Sequence, residues 1–498
     1  MAAARAYRLP VLLLAASLLL HAVFLLTNVY YFNPYDEGIA AVGAMRVLGG
    51  DLPYRDFWTV YPPGQFYLLA LVYRLVGPSL LAGRLVDALF RVLAELAVFV
   101  AVRRLAGTRP AVVAWLGAVL LLGSLHHFTY PVFPALGLAL TALAARDRPV
   151  QAGLLVGLAA LFRIELALAA AGGIGLPMVT MRTDLRCRLR AAGSFACAAL
   201  APGVLALALL LTAVPVADLW DQLIVFPFTQ LPAYRWLPYP GMADPGPLAG
   251  MTTPVAQLFG RWVPFYFPLA AVVASTVALA RQRALLPFLV FGALTFGQEL
   301  GRADRVHTAA TTAAAVVVLA VLLRRAPWPL LLVLALLPSS YELSLALPKL
   351  PYAPALLAPC FSYVERARCV GVPADEVAAV QTVRANSPPG EPIFVGLARS
   401  DVAYINDLLL YFLADRTPAT KYAELHPGVA TTAAVQQAIV DELDRKGVRL
   451  VVTVDSWSDA DEPNRSAASS GVTLLDDYVR DRYAAFDKLG DDTFWRRR

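Results

Sequence analysis

From residue 9 to residue 347 the chain is a succession of apolar runs separated by short polar joints, and those joints hold most of its arginines. A helix needs about 20 apolar residues to cross a bilayer, and only helices or closed barrels satisfy their backbone there. The pattern therefore restricts the chain to a bundle of membrane-spanning helices. Only 16% of the residues are charged, against about 25% in a soluble domain. Residues 348–498, by contrast, have ordinary soluble composition. The expected fold is mainly α: a polytopic transmembrane bundle over 1–347, followed by a soluble α/β domain over 348–498.

Spans are expected near 9–29, 80–102, 111–126, 131–145, 150–163, 166–181, 191–213, 263–280, 284–300, 306–323 and 327–347, about eleven in all. The first is retained as a span because its apolar run is long and no small-x-small cleavage site follows before Asn28. Arg5 and Arg8 place the N-terminus inside. Alternation then makes the inner joints those with Arg103, Arg104 and Arg109, with Arg146 and Arg148, with Arg182, Arg186, Arg188 and Arg190, with Arg281 and Arg283, and with Arg324 and Arg325. An odd number of spans puts the C-terminal domain outside, together with the loops 30–79 and 214–262. The net charge of +6 is thus topological. With no basic, aromatic-interleaved surface, a nucleic-acid partner is not expected.

The first external loop is expected to contain two helices lying flat on the membrane, Glu37–Leu48 and Gly64–Leu75, with Trp58, Tyr61, Pro62 and Pro63 between them. In the second, Trp236-Leu237-Pro238-Tyr239-Pro240 reads as interfacial aromatics. The tail suggests a strand at Glu391–Leu397, a helix at Ile405–Leu413, a helix at Thr432–Lys446 stopped by Gly447, and a buried strand at Val448–Val454. Cys360 and Cys369 stand close enough in sequence to form a disulfide or to remain two thiols; no cysteine spacing suits a metal.

Three polar clusters carry candidate chemistry. Asp36-Glu37 lies just beyond the first span, where a carboxylate can serve as general base or simply cap a helix. Arg163-x-Glu165 interrupts an apolar hairpin, either as a packing ion pair or as the polar floor of an external site. Arg302-x-Asp304-x-x-His307, with Arg305 nearby, offers guanidinium forks suited to phosphate and a histidine one turn beyond its carboxylate. Arg84 and Arg91 are further phosphate candidates, or partners of Asp87 and Glu95 at helical spacing. Asp459-Ala460-Asp461 lacks the surroundings of a nucleotide-sugar metal motif, Asn464-Arg465-Ser466 is a sequon by pattern only, and the adjacent His126 and His127 do not share a helix face.

Taken in order, Asp36-Glu37, Tyr61-Pro62-Pro63-Gly64, Arg163-x-Glu165, Arg302-x-Asp304-x-x-His307 and the soluble tail resemble the polytopic C-type (GT-C) glycosyltransferases that use polyprenyl-phosphate sugars. The likeness is to the branch of the protein O-mannosyltransferases and the lipid A aminoarabinose transferase. In the tail, Asn406-Asp407, Tyr411-Phe412-Leu413 and Tyr422-x-Glu424-Leu425-His426-Pro427-Gly428 resemble stretches of that branch. The resemblance implies an enzyme of the plasma (inner) membrane that inverts a sugar during transfer from its lipid phosphate to an acceptor hydroxyl. It implies Asp36 as base with Glu37 beside it. Arg302, Arg305, His307, Arg84 and Arg163 would hold the donor, with Glu165, Asp304 and Tyr61 in support. No metal ligand set is legible, although a divalent metal is used by some of the superfamily. The partners implied are a lipid-linked sugar, an acceptor of unknown identity and membrane lipids. A secondary transporter or lipid flippase, which calls for midplane charges and repeats, and a non-catalytic envelope scaffold are the competing readings.

Overall fold

The computed structural model describes residues 2–180, 184–240, 258–278, 282–352, 357–361, 364–426, 428–455 and 462–498. Asp459 and Asp461 lie outside them. The chain is mainly helical with a small C-terminal sheet. Every stretch read as a span contains a helix: α1 (Ala2–Thr27), α4 (Leu80–Ala106), α5 (Thr108–Ser124), α6 (Val132–Ala144), α7 (Pro149–Ala160), α8 (Ile164–Thr180), α9 (Leu185–Leu210), and then Val263–Ala278, Leu286–Glu299, Ala309–Leu322 and Trp328–Leu336. The last run is interrupted at Leu337–Ser339, where Pro338 cannot continue the helical bonding, and it resumes at Ser340–Ala346. Three described stretches, Arg8–Thr27, Leu185–Leu210 and Trp328–Tyr352, are long and apolar enough to cross a membrane. Two of the shorter helices are interior ones. In α6 all but one residue are buried, and Ala309–Leu322 is almost as enclosed. Alanine and glycine at these crossings let backbones approach closely, as helix association in lipid requires.

Two ends of the bundle differ chemically. At one end the joints are basic and adjacent: Arg104 donates to the carbonyl of Ala144 and lies 3.8 Å from Asp147, and Arg109 donates to Ala326 O at 2.8 Å. At the other end the joints after α5 and after α7 meet the loop 28–79, and the joint after Leu286–Glu299 meets Leu237 of the loop 214–262. Gly64 N donates to Leu161 O at 2.8 Å, Gln65 Nε2 donates to Thr129 O at 3.2 Å, and Ala303 N donates to Leu237 O at 3.3 Å. Arg182 and Arg281 of the expected basic joints lie outside the described residues.

The tail folds as a five-stranded sheet of order β2-β1-β3-β5-β4, where β1 is Pro392–Leu397, β2 Thr417–Pro418, β3 Leu450–Val454, β4 Tyr483–Leu489 and β5 Asp492–Arg497. β2, β1 and β3 run parallel, while β5 pairs antiparallel with β3 and β4. Helices Ala374–Asn386, Leu409–Ala414, Ala433–Lys446 and Leu474–Arg482 accompany it. Thr432 caps Ala433–Lys446 by accepting from Val435 N, and Gly447 ends it in the left-handed region. Cys360 and Cys369 form a disulfide.

The loop 30–79 does not behave as read from its amphipathicity. Helix α2 (Asp36–Leu48) is not laid along the membrane by one face, since Glu37 through Ala44 are buried without interruption. It is sandwiched between α3 (Gly64–Val76) and the tail helix Leu409–Ala414. One continuous core joins Tyr35, Ile39, Val42 and Phe66 of the loop to Val380, Val395, Leu408 and Phe412 of the tail. Gly38 permits this, because a Cβ there would come within 2.5 Å of Leu408 Cβ. Backbone bonds fasten it: Leu409 N to Pro34 O at 3.0 Å, Leu80 N to Arg366 O at 2.9 Å and Trp58 N to Lys421 O at 3.0 Å. Only α3 keeps an exposed apolar stripe, through Tyr67, Leu71 and Leu75 at helical spacing.

Within the tail, Glu376 and Asp492 are buried close to Asp407, and burial, then like charge, raises both carboxyls; Asp492 is pushed up to about 7. A carboxyl raised on folding contributes stability that is complete below its unfolded pKa and is lost as pH rises through the folded value. The thermal midpoint of the protein is accordingly expected to fall between about pH 4 and about pH 7, by an amount equivalent to roughly 2–4 kcal/mol. Asp492→Asn should flatten that slope in a pH series of melting curves; an unchanged slope would remove Asp492 as its source.

Candidate active site

The local chain direction decides what the two adjacent carboxylates do. Asn33 accepts from the backbone N–H groups of Tyr35, at 3.1 Å, and Asp36, at 2.8 Å, and thereby serves the start of α2. Asp36 is the first residue of the helix rather than its cap, and its carboxylate accepts from Asn33 Nδ2 at 3.0 Å. Its side chain borders a small void lined also by Tyr61, Gln65 and Tyr130. One residue further on, Glu37 points the opposite way. It is fully buried and takes a two-pronged bond from Arg84, Nε to Oε1 at 2.8 Å and Nη2 to Oε2 at 2.7 Å. Arg84 also donates to Asn28 O and Tyr31 O and lies 4.3 Å from the centre of the Phe128 ring.

This geometry sorts the sequence candidates. Arg84 and Glu37 are brought together, but as a closed pair that anchors α2 to α4. Removing one partner of such a pair costs about 3–5 kcal/mol. Arg84→Ala or Glu37→Gln should therefore lower folded yield and melting temperature, whatever the activity assay reads; a wild-type melting curve would refute the anchoring role. Arg91 pairs at 2.9 Å with Asp87, one turn away, as its helical spacing suggested. Arg163 and Glu165 form an ion pair at 2.9 Å, with Gln298 also donating to Glu165, and the Arg163 guanidinium lies 5.6 Å from the centre of the Tyr130 ring.

Arg302 is heavily engaged. It donates to Asp304 at 3.0 Å, to the Arg235 carbonyl at 2.6 Å and to both oxygens of Glu462 at 3.2 and 3.4 Å. It thus ties the joint after Leu286–Glu299 to the second external loop and to the tail. Asp304 Oδ1 accepts from the ring of His307 at 2.7 Å, so the histidine is oriented as its spacing implied. Burial alone would raise the Asp304 carboxyl, but His307 and Arg302 hold it well below the usual range. Arg305 pairs with Glu342, away from this group.

Sequence reading missed three contributors. Arg235 closes the short helix Leu231–Arg235, which follows a π-helical segment, Asp221–Gln230, in the second external loop. That loop is held onto the first by Gln222, which accepts from Thr59 N at 3.0 Å and donates to Tyr54 O at 2.9 Å. Among the described residues the Arg235 side chain makes no hydrogen bond. Burial opposes its charge, yet Asp36, Tyr130 and Tyr61 outweigh that and raise its pKa. The second is Tyr130, which packs edge-on against Tyr61 at 6.4 Å.

The third is His426 of the tail, enclosed by Tyr35 at 6.0 Å, Tyr61 at 6.3 Å and Trp58 at 6.4 Å between ring centres. Burial, and then Arg235, Arg302 and Arg163, hold its pKa far below the imidazole value, so it is neutral. Nearby Glu424 is pushed up to about 8, chiefly by burial. Tyr35 Oη, Glu424 Oε1 and His426 Nδ1 are buried without a partner among the described residues. Each such orphan costs about 1–3 kcal/mol, a cost a hydroxyl-rich ligand would relieve. Among the described residues, no group of three or more His, Cys, Asp or Glu side chains is placed to hold a metal ion.

The arrangement therefore gathers a carboxylate, an aromatic box around a neutral histidine and Arg235, whose side chain is unbonded among the described residues, at the junction of bundle, loops and tail. Neither a family model nor a curated protein matches the chain. Solved structures do. ArnT from Cupriavidus metallidurans, determined with undecaprenyl phosphate bound, superposes with a TM-score of 0.62 at 15% identity over 98% of both chains. The archaeal oligosaccharyltransferase AglB from Archaeoglobus fulgidus, in complex with an inhibitory peptide and a dolichol-phosphate, gives 0.51 at 14% identity over 89% of this chain and 69% of its own. The chain has the fold of the GT-C glycosyltransferases.

Proposed function

We propose that the protein is an inverting glycosyltransferase. It moves a sugar from a polyprenyl-phosphate donor to an acceptor hydroxyl at the outer membrane–water interface, in the synthesis of an envelope glycan or glycolipid. The observation that carries this reading is the Asp36 carboxylate bordering one void with Tyr61 and Tyr130, with His426 packed against Tyr61. The charge of Asp36 also helps to raise the pKa of Arg235, whose side chain makes no hydrogen bond among the described residues. The fold adds support, since it is shared with proteins solved with lipid phosphates bound.

In this reading Asp36 takes the proton from the acceptor hydroxyl as its oxygen bonds to the anomeric carbon. The carbon–oxygen bond to the donor phosphate breaks on the opposite face, which inverts the centre, and the electron pair leaves with polyprenyl phosphate. Arg235, with Arg163 behind Tyr130, meets the charge that develops on that phosphate. Tyr35, Glu424 and His426, with polar atoms that lack a partner among the described residues, line the sugar and bond its hydroxyls, and Tyr61 packs beside them. Arg302, Asp304 and His307 brace the wall of the site through Glu462, and Arg84 with Glu37 fixes the helix that presents Asp36.

The test is transfer of label from a panel of radiolabelled polyprenyl-phosphate sugars in membranes containing the wild-type protein. Labelled product with at least one donor is the expected result. If none of the panel were consumed while the protein was abundant and folded, the reading would fail.

A further inference from the structure

At the end of the bundle opposite the candidate site, α8, α9 and the start of Leu286–Glu299 enclose a cavity of ≈ 1130 Å³. Drug-sized ligands occupy roughly 300–1,000 Å³, so the space suits something larger. Its lining is divided. Ile174, Met178, Leu286 and Pro287 give it apolar walls, while Arg146, Arg188 and Arg283 bring three guanidiniums against one carboxylate, that of Asp147. Asp147 is itself turned toward Arg104, at 3.8 Å. The Nε of Arg188 is buried without a partner among the described residues, while its Nη1 donates to Val179 O at 3.1 Å. Arg146 is partly enclosed, over the Phe288 ring at 5.8 Å, and burial lowers its pKa. Exposed lining residues such as Leu176, Cys187 and Arg283 leave the cavity reachable from the surface.

We infer that this cavity is a binding site for an anionic phospholipid of the leaflet opposite the active site, its headgroup phosphate held by Arg146, Arg188 and Arg283 and its chains along Ile174, Met178 and Leu286. Arginine-lined recesses between membrane helices recognise such headgroups, because a phosphate recovers the bonds the guanidiniums lack and the tails satisfy the apolar walls. A soluble anion leaves the walls unfilled, and a zwitterionic lipid brings a cation against three arginines. The site is separate from the one assigned to sugar transfer and does not depend on that assignment.

The full-length protein, reconstituted and then analysed by native mass spectrometry, tests this with phosphatidylglycerol, phosphatidylcholine, undecaprenyl phosphate and inorganic phosphate as probes. Read as the part of retention lost on Ala191→Trp, which leaves the separate donor site intact, phosphatidylglycerol should be held at this cavity in preference to the other three. Substitution of all three arginines by glutamine should weaken its retention about a hundredfold, whereas lysine at the same positions should keep it within a few-fold. Ala191→Trp, which fills the cavity and leaves the arginines, should also displace the lipid and decides the matter if the glutamine variant fails to fold. Retention unchanged by Ala191→Trp would overturn the inference. So would phosphatidylcholine, undecaprenyl phosphate or inorganic phosphate binding at this cavity as well as phosphatidylglycerol.

Discussion

Replacing Asp36 by asparagine is expected to lower the rate of sugar transfer by about 10²–10⁴-fold, the range over which a positioned general base acts. The substitution is unusually clean. The start of α2 is served by Asn33, and the Asp36 carboxylate accepts a hydrogen bond from that same asparagine. An amide of equal size should therefore leave the melting temperature close to wild type, since surface or half-buried isosteric changes seldom exceed about 0.5 kcal/mol. Initial rates at saturating donor, measured beside a melting curve, separate lost chemistry from lost fold. A variant as active as wild type would return Asp36 to a structural role and bring the transporter and scaffold readings forward.

The second large effect is expected at Arg235. Its loss removes the guanidinium free to meet the leaving phosphate, and Arg235→Gln should reduce kcat by about 10²–10³-fold. Arg235→Lys should recover part of this, because an ammonium supplies charge without the planar fork. Arg302→Gln provides the contrast. It breaks the bonds to Asp304 and Glu462, and its main consequence should be a looser tail and a lower melting temperature. If Arg302→Gln abolished turnover in a stably folded protein while Arg235→Gln did not, the two roles would be exchanged.

The contrast between these arginines shows where sequence reasoning succeeds here. The helical runs are local patterns, with periodicity and order along the chain as their carriers. The pairing of Arg91 with Asp87 and of His307 with Asp304 is local too, one helical turn each, and both were legible. Arg84 has equally good local partners in sequence, yet it bonds Glu37, 47 residues away. Burial of the pair, not spacing, selects that partner. Arg235 had no signal beyond a loop rich in Trp, Tyr and Pro, whose aromatic residues mask a single charge.

The flat-helix expectation for α2 failed for a related reason. An apolar face states that something covers it, but not whether that is lipid or a domain arriving several hundred residues later. The tail segment around Glu424 and His426 was visible only as a likeness to other chains. Its part in the site depends on the long-range contact that Gly38 allows.

That contact has a bearing on biosynthesis. The carboxylate that would deprotonate the acceptor is made near the beginning of the chain, while Glu424, His426 and Glu462 are made near its end. Until the tail has been delivered and has docked on α2, Leu408 is not against Gly38 and the aromatic box has no histidine. A growing or truncated chain thus holds the reactive group without the enclosure that positions a sugar against it. In the proposed reaction, transfer would begin only once residues 424–462 had been made and docked, so that quality control of that segment becomes control of Asp36.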